Sequence, residues 1–221
     1  MASVAVIGGT GNLGRGIARR LAQAGHDVTI GSRAADKAQA AADELNSELG
    51  LSLRSGDNIE VAQGKDIVIV TVPYANQAAT LQQIAPLVGS AIVVDTTVPL
   101  VPPKVMRVQL PAAGCAALEG REHLGPDVRF VSAFHNVAAH VLDSAHKVEC
   151  DVLVFSDDVE ARKAIVELVN SMGLRGLAGG ALANSAAAEA LTSILIYMNK
   201  TYAADGAGIR FTNLTTAPPI P

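Results

Sequence analysis

Short runs of β-branched residues alternate along the chain with longer alanine-rich stretches whose apolar positions recur at helical spacing. The runs predict strands over 4–7, 26–30, 51–54, 66–72, 91–95 and 128–133. Between them the pattern predicts helices over 13–24, 34–49, 58–62, 76–84 and 112–124, with Gly25 where a left-handed cap closes the first. Strand, helix, strand in this order is the arrangement of βαβ units, and it predicts an α/β fold of Rossmann type with a doubly wound, mostly parallel sheet. After Ala133 the pattern changes. A strand over 147–155 leads to Asp157-Asp158, which supply an N-cap and early acidic charge for a helix to about Met172. Gly173 to Gly180 reads as a glycine-rich joint, and a long apolar helix over 184–203 follows. Its Ala187, Leu191, Ile194, Leu195 and Met198 fall at helical spacing, while Ile196 and Tyr197 widen the apolar face. That face predicts a helix buried on two sides, with a second subunit on one of them. The expected organisation is a main domain over 1–145 and a small helical portion over 146–221 that completes a pocket and carries a dimer contact. The closing Thr216-Ala217-Pro218-Pro219-Ile220-Pro221 reads as a frayed tail.

Composition narrows the choice of partner. The 221 residues include no Trp, four Phe and three Tyr, and the formal net charge is −4 with no basic run, which argues against a nucleic-acid surface. Cys115 and Cys150 are far apart and lack metal-type spacing, so they read as buried thiols of a reducing compartment, and no metal is expected. Charges, Gly or Pro interrupt every apolar stretch before it could span a bilayer. The chain also enters its first strand without the basic and apolar segments of a secretory leader. The expectation is a cytoplasmic protein with no membrane contact.

The chemistry concentrates near the start. Gly9-Thr10-Gly11-Asn12-Leu13-Gly14 places Gly-x-Gly-x-x-Gly between a predicted strand and a predicted helix, the context in which this spacing binds a dinucleotide. Gly9 and Gly11 would let the backbone approach a pyrophosphate, Gly14 would let helix and strand pack closely, and the free N–H groups of the helix would face the anion. The second strand then decides between cofactors. An NAD enzyme commonly carries Asp or Glu at its end to accept from the ribose 2′-hydroxyl, but this chain reads Gly31-Ser32-Arg33. Arg33 can fork onto a 2′-phosphate, with Ser32 and Thr10 adding hydroxyl donors, so NADP(H) is the expected cofactor. An Arg at a helix start also opposes the macrodipole, which is a further reason to assign it a ligand. Val72-Pro73-Tyr74 and Thr96-Thr97-Val98-Pro99 follow strand ends on the side where ligands bind in parallel sheets, although strand termination alone also explains Pro73 and Pro99.

These motifs, together with Phe134-His135-Asn136-Val137-Ala138-Ala139, Leu182-Ala183-Asn184-Ser185, Glu189-Ala190-Leu191-Thr192 and Gly208-Ile209-Arg210-Phe211, resemble the NADPH-dependent F-420 reductase family over nearly the whole chain. Members of that family are also called reduced coenzyme F-420:NADP oxidoreductases. The resemblance implies hydride transfer between NADP(H) and the 8-hydroxy-5-deazaflavin coenzyme F-420, a small-molecule redox co-substrate. It implies that Thr10, Ser32 and Arg33 hold the 2′-phosphate. Gly9, Gly11, Asn12, Leu13, Val72, Pro73 and Tyr74 complete the cofactor site, and His135, Val137 and Ala139 lie where the two rings meet. Family members often carry Trp at the position of Tyr74 and Pro at that of Ala138, and this chain departs at both.

His135 then has two readings: a hydrogen-bonding group toward the deazaflavin hydroxyl or a cofactor phosphate, or a cap on its strand. His140 and His146 read as surface residues. Lys104, Arg107 and Arg129 are placed to meet an anionic tail, or form a solvated face. Asn184 and Ser185 are expected to cap the last helix. Other acceptors on the same scaffold, such as a flavin, a quinone-like compound or a ferric chelate, remain open, as does a non-catalytic NADPH-sensing module.

Overall fold

The computed structural model describes residues 1–144 and 147–214. One eight-stranded sheet runs in the order β3-β2-β1-β4-β5-β6-β7-β8. Its strands are β1 (Ser3–Ile7), β2 (Asp27–Ser32), β3 (Arg54–Asp57), β4 (Ile67–Val70), β5 (Ile92–Asp95), β6 (Arg129–Ala133), β7 (Asp151–Phe155) and β8 (Arg175–Gly180). Every pairing is parallel except that of β6 with β7. The order reverses between β1 and β4, so the crevice at which a doubly wound sheet binds ligands opens at the carboxyl end of β1.

The continuous apolar runs of the central strands follow from burial on both faces, where alternation chooses a layer rather than choosing solvent. Val4 and Val6 of β1 join one core with Ile30, Ile69, Val94 and Val131. That core receives α1 (Asn12–Gln23), α2 (Ala35–Leu49) and α7 (Val159–Ser171). Ala5 and Ile7 point the other way and join Val68, Val70 and Val93. This second layer is covered by α3 (Asn58–Ala62), α4 (Tyr74–Ile84) and α5 (Ala116–Glu122). Fully burying a Val or Ile stabilises by roughly 1.5–3 kcal/mol, so the paired layers supply the main driving force for the sheet. The boundary signals also hold where they were legible. Gly25 has φ +83 just after α1, and the Asp158 carboxylate accepts from Ala161 N–H at 2.9 Å to cap α7.

Four elements differ from the pattern reading. The edge strand is the polar Arg54–Asp57 rather than the more apolar 51–54, because it is Arg54 to Asp57 that pair with Thr29 to Ser32 while Leu51 stays exposed. The glycine-rich stretch expected as a joint contains β8. Its glycines are required by packing, since a Cβ on Gly176 would lie 2.9 Å from the Val166 carbonyl and one on Gly179 would lie 2.1 Å from the Phe155 ring. The sheet therefore continues past residue 145, and the expected boundary itself, like His146 and the tail over 216–221, lies outside the described residues. A short helix, α6 (Ala139–Leu142), follows β6 and packs on α1.

The last helix, α8 (Ser185–Tyr202), is the fourth: within one chain it buries Ser185, Ala188, Glu189 and Ser193, and it leaves Ile194, Tyr197 and Met198 exposed. Its inward face is small and polar because it meets backbone groups: Glu189 accepts from the Ala116 and Ala117 N–H groups and Ser193 Oγ reaches the Arg107 carbonyl. Last, neither Asn184 nor Ser185 caps it. A single 3-10 turn over Leu182–Asn184 already holds Asn184 in helical geometry, so its amide donates to the Gly179 carbonyl at 2.9 Å instead.

Candidate functional site: a dinucleotide cradle at the switch point

The loop after β1 is fastened from three sides. Gly8 has φ +75, a conformation L side chains rarely adopt, and its N–H donates to Asn58 Oδ1 at 3.1 Å. Gly9 N–H donates to the Gly31 carbonyl at 2.9 Å and Gly11 N–H to the Gly8 carbonyl at 3.0 Å. A Cβ on Gly9 would lie 2.9 Å from both Ile30 Cγ2 and the Val6 carbonyl, and one on Gly14 would lie 2.5 Å from Thr71 Oγ1. Gly9 and Gly14 are thus glycines that the protein's own packing demands. Gly11 is different in kind. A Cβ there would meet only the Gly8 carbonyl, at 3.4 Å, with open space beyond. Gly11 also caps α1 without a side chain, so the first-turn amides of Asn12 and Leu13 face outward beside exposed Thr10. The pattern reading gave Gly9 and Gly11 one task; the structure separates them and leaves at Gly11 a cradle that a side chain would fill.

Ser32 and Arg33 stand at the neighbouring strand end. Ser32 is 6% exposed, and Arg33 is exposed and forms no ion pair among the described residues. The carboxylate beside them is committed elsewhere: Asp57, the sheet partner of Ser32, accepts from Ile59 N–H at 2.9 Å and so caps α3. A cation without a carboxylate partner, next to a hydroxyl and an open helix terminus, favours an anionic ligand. Asn58, which the sequence reading passed over, links the two parts of this cradle. Its Oδ1 holds Gly8 and also sits 2.9 Å from where a Cβ of Gly31 would be.

The other strand ends approach the same crevice. Thr71 Oγ1 donates to the Ile7 carbonyl at 2.8 Å, and Val72 Cγ1 lies 3.2 Å from the Cβ position of Gly8. Pro73 is the exposed, extended N-cap of α4. Tyr74 begins that helix, but its hydroxyl donates to Glu119 Oε2 at 2.6 Å, and burial, reinforced by that hydrogen bond, pushes the phenol up to about 12. It stays protonated and points toward α5.

After β6, Phe134 has φ +67 while buried, a backbone state costing about 1–3 kcal/mol that the surroundings must hold. Thr192 Oγ1 of α8 donates to the His135 carbonyl at 2.8 Å, and the Asn136 amide donates to the Ala188 carbonyl at 2.7 Å. The His135 ring is buried, with Nε2 2.7 Å from Ser132 Oγ and Nδ1 without a hydrogen-bond partner. Burial pushes its pKa down to about 4, so the imidazole is neutral at pH 7. Val137 is 8% exposed; with Ala138, Val141, Cys150 and Ile209 it borders a concavity of about 160 Å³. Ala139 opens α6 with its carbonyl 3.1 Å from the Cβ position of Gly16 in α1.

The chain from Ser3 to Pro99 matches the model of the family described as NADP oxidoreductase, coenzyme F420-dependent. The F420-dependent NADP reductase of Methanocaldococcus jannaschii is 37% identical, with 96% of this chain and 98% of that one covered. The enzyme of the same name from Methanothermobacter thermautotrophicus is 36% identical, over 96% of this chain and 95% of its own. This chain belongs to that family. Among solved structures, a hypothetical protein from Sinorhizobium meliloti superposes with a TM-score of 0.68 at 23% identity, covering 84% of this chain and 88% of that one. An imine reductase from Myxococcus stipitatus in complex with NAD+ gives 0.65 at 16%, covering 92% and 62%. At such identities these two structures speak to the fold alone.

Within this member of the family, Arg129 is taken up by Asp158, its Nε 2.8 Å from Oδ2, whereas Lys104 and Arg107 are exposed. The largest omission of the sequence reading lies beneath the crevice, between α4, α5 and α8. Asp95 is fully buried and accepts from Thr97 Oγ1 at 2.6 Å and from Gln77 Nε2 at 2.5 Å. Glu189 is 1% exposed and accepts from the N–H groups of Ala116 and Ala117 at 2.7 and 3.0 Å. Burial pushes these carboxyls up to about 6 and about 7. Buried acids are rare enough that no pattern of single residues announces them. Among the described residues no helix is long and apolar enough to cross a membrane, and no three His, Cys, Asp or Glu could share a metal.

Proposed function

We propose that this chain transfers a hydride between NADP(H) and the 8-hydroxy-5-deazaflavin coenzyme F-420. The observation that carries the reading is the cradle at Gly11 beside Ser32 and an Arg33 with no carboxylate partner among the described residues, in a chain that matches F420-dependent NADP reductases over 96% of its length.

Thr10, Ser32 and Arg33 hold the adenosine 2′-phosphate, and Arg33 supplies the charge that separates NADPH from NADH. The backbone from Gly9 through Leu13 receives the pyrophosphate, with the amides of Asn12 and Leu13 donating. Val72, Pro73 and Tyr74 wall the cofactor on the β4 side. A bound nicotinamide would supply the hydride chemistry, with the deazaflavin as the other party. What this protein adds is placement and exclusion of water. His135, Val137 and Ala139 belong to the loop on which the rings meet. His135 remains uncharged there and acts through Ser132 and the loop backbone. Residues 1–145 provide the cofactor site and 146–221 complete the acceptor pocket. The exposed Ile194, Tyr197 and Met198 of α8 form the contact of a homodimer, and the protein works in the cytoplasm.

Mixing the protein anaerobically with NADPH and oxidised F-420 tests the reading. Deazaflavin absorbance should decay with NADPH and far more slowly with NADH at equal concentration. Binding of NADPH without decay of F-420, but with reduction of a flavin or ferric chelate, would replace the acceptor.

A further inference from the structure

Between β5 and α5 the chain makes an excursion over residues 96–115 that leaves the carboxyl end of a central strand beside the crevice and returns to the layer beneath it. It carries no acidic residue and exposes Val101, Met106, Val108 and Leu110 beside Lys104 and Arg107. Excursions of this length without regular structure need anchors to keep one shape. The anchors are unusually concentrated. Gln77 of α4, 2% exposed, donates from one nitrogen to Asp95 Oδ2 at 2.5 Å and to the Ala116 carbonyl at 3.0 Å. Asp95 in turn holds the hydroxyl and N–H of Thr97, at 2.6 and 3.3 Å. A single amide thus fastens the departure of the excursion through Asp95 and Thr97, and its return through Ala116. From the far side, Glu189 of α8 holds Ala116 and Ala117, and Ser193 Oγ reaches the Arg107 carbonyl at 3.4 Å. Room for the amide is kept by Gly120, where a Cβ would lie 2.8 Å from Gln77 Nε2.

We propose that Gln77 is a positioning residue for hydride transfer: by tying both ends of residues 96–115 it sets the wall against which the acceptor ring lies, while leaving the cofactor cradle untouched. This rests on the acceptor site lying over the carboxyl ends of β5 and β6. An apolar wall flanked by two exposed cations suits a planar aromatic acceptor with an anionic tail, the chemical class to which a deazaflavin coenzyme belongs. The division of labour follows from placement. None of the bonds made by Gln77 reaches residues 8–14 or 32–33.

The test compares three variants of the full chain. Gln77→Leu removes both bonds. Gly120→Ala pushes the amide aside, although alanine favours the helix by about 1 kcal/mol and should not weaken α5 itself. Gln77→Glu sets a second carboxyl against Asp95 in a layer whose other ionisable groups include Tyr74 of α4, Glu119 and Glu122 of α5, Cys115 and His123 at the two ends of α5, and Glu189 of α8. For Gln77→Leu and Gly120→Ala, kcat/KM for F-420 should fall by about tenfold or more, with the NADPH dissociation constant within about twofold of wild type. Hydrogen exchange should quicken over residues 98–115 and stay slow in α1. Gln77→Glu should be impaired at about pH 8 and regain activity toward about pH 6 relative to wild type, as the carboxyl pair takes up a proton and a donor returns. Unchanged kcat/KM in both Gln77→Leu and Gly120→Ala would overturn the proposal, as would a parallel loss of NADPH affinity or exchange that quickens everywhere. The two claims fail separately: if wild type does not reduce F-420, the functional reading falls, while faster exchange confined to 98–115 in the variants still measures the tie.

Discussion

Two polar regions flank the sheet's crevice, and they use their groups in opposite ways. On the β1–β2 side, Thr10, Gly11, Asn12 and Arg33 are exposed, Arg33 forms no ion pair among the described residues, and Gly11 leaves space the protein does not need for itself. On the β5–β6 side, Asp95, Gln77, Glu189 and Asn136 are buried and bonded to backbone groups or to one another. The first region is built to meet a molecule, and it gives its charge to whatever arrives. The second spends its hydrogen bonds on the fold, so that a wall and a loop keep their shape. Satisfied buried polar groups fix one arrangement at little net cost, whereas exposed ones wait for a ligand.

The contrast is broken most severely at the glycines. Gly14→Val forces a side chain against Thr71 and the loop backbone and should cost about 3 kcal/mol of stability, seen as a lowered denaturation midpoint. Gly11→Val meets almost nothing of the protein, so its midpoint should stay near that of wild type while calorimetry finds no NADPH binding. If both variants unfold alike, or if Gly11→Val still binds NADPH, the distinction between a packing glycine and a ligand glycine fails.

Next in size is Arg33→Ala. Removing a charge-assisted contact to the 2′-phosphate should weaken NADPH by roughly 1.5 to 3 kcal/mol and leave NADH nearly unchanged. Equal losses for the two cofactors would mean that Arg33 does not read the phosphate.

The buried side is sharpened by pH. Glu189 has a folded pKa raised to about 7 from 4.5 because burial disfavours its charged form. A group raised on folding stabilises while it is protonated in both states, and that contribution is lost as pH climbs through the folded value. Wild type should therefore lose about 2 to 3 kcal/mol relative to Glu189→Gln between about pH 4.5 and pH 8. The comparison with the variant matters, because His135, lowered to about 4 by burial, slopes the other way over part of this range. A difference that is flat with pH would contradict the burial of the carboxyl.

The same division governs what could be read from the sequence. The first βαβ unit was legible because strong apolar runs, Gly25 and the spacing of Gly9, Gly11 and Gly14 all agree. The end of β2 was legible because Ser32-Arg33 stands where a carboxylate is otherwise expected. The polar edge strand Arg54–Asp57 and the glycine-bearing β8 were not, since pairing partners and the Phe155 ring, rather than local propensity, decide them. The small, polar inward face of α8 was not legible for a related reason: Ser185, Glu189 and Ser193 look like surface residues until the groups they meet are in place. The left-handed Phe134 and the tie through Gln77 are tertiary facts, created by residues far apart in the chain.

Direct transfer is the claim on which the rest depends, and deuterium reports it. NADPH carrying deuterium at the transferring position of its nicotinamide should give reduced F-420 with the label on the deazaflavin ring carbon. Mass spectrometry of product formed in ordinary water should find close to one deuterium per molecule. Reduced F-420 without the label, or no reduced F-420 from a protein that binds NADPH, would contradict the account.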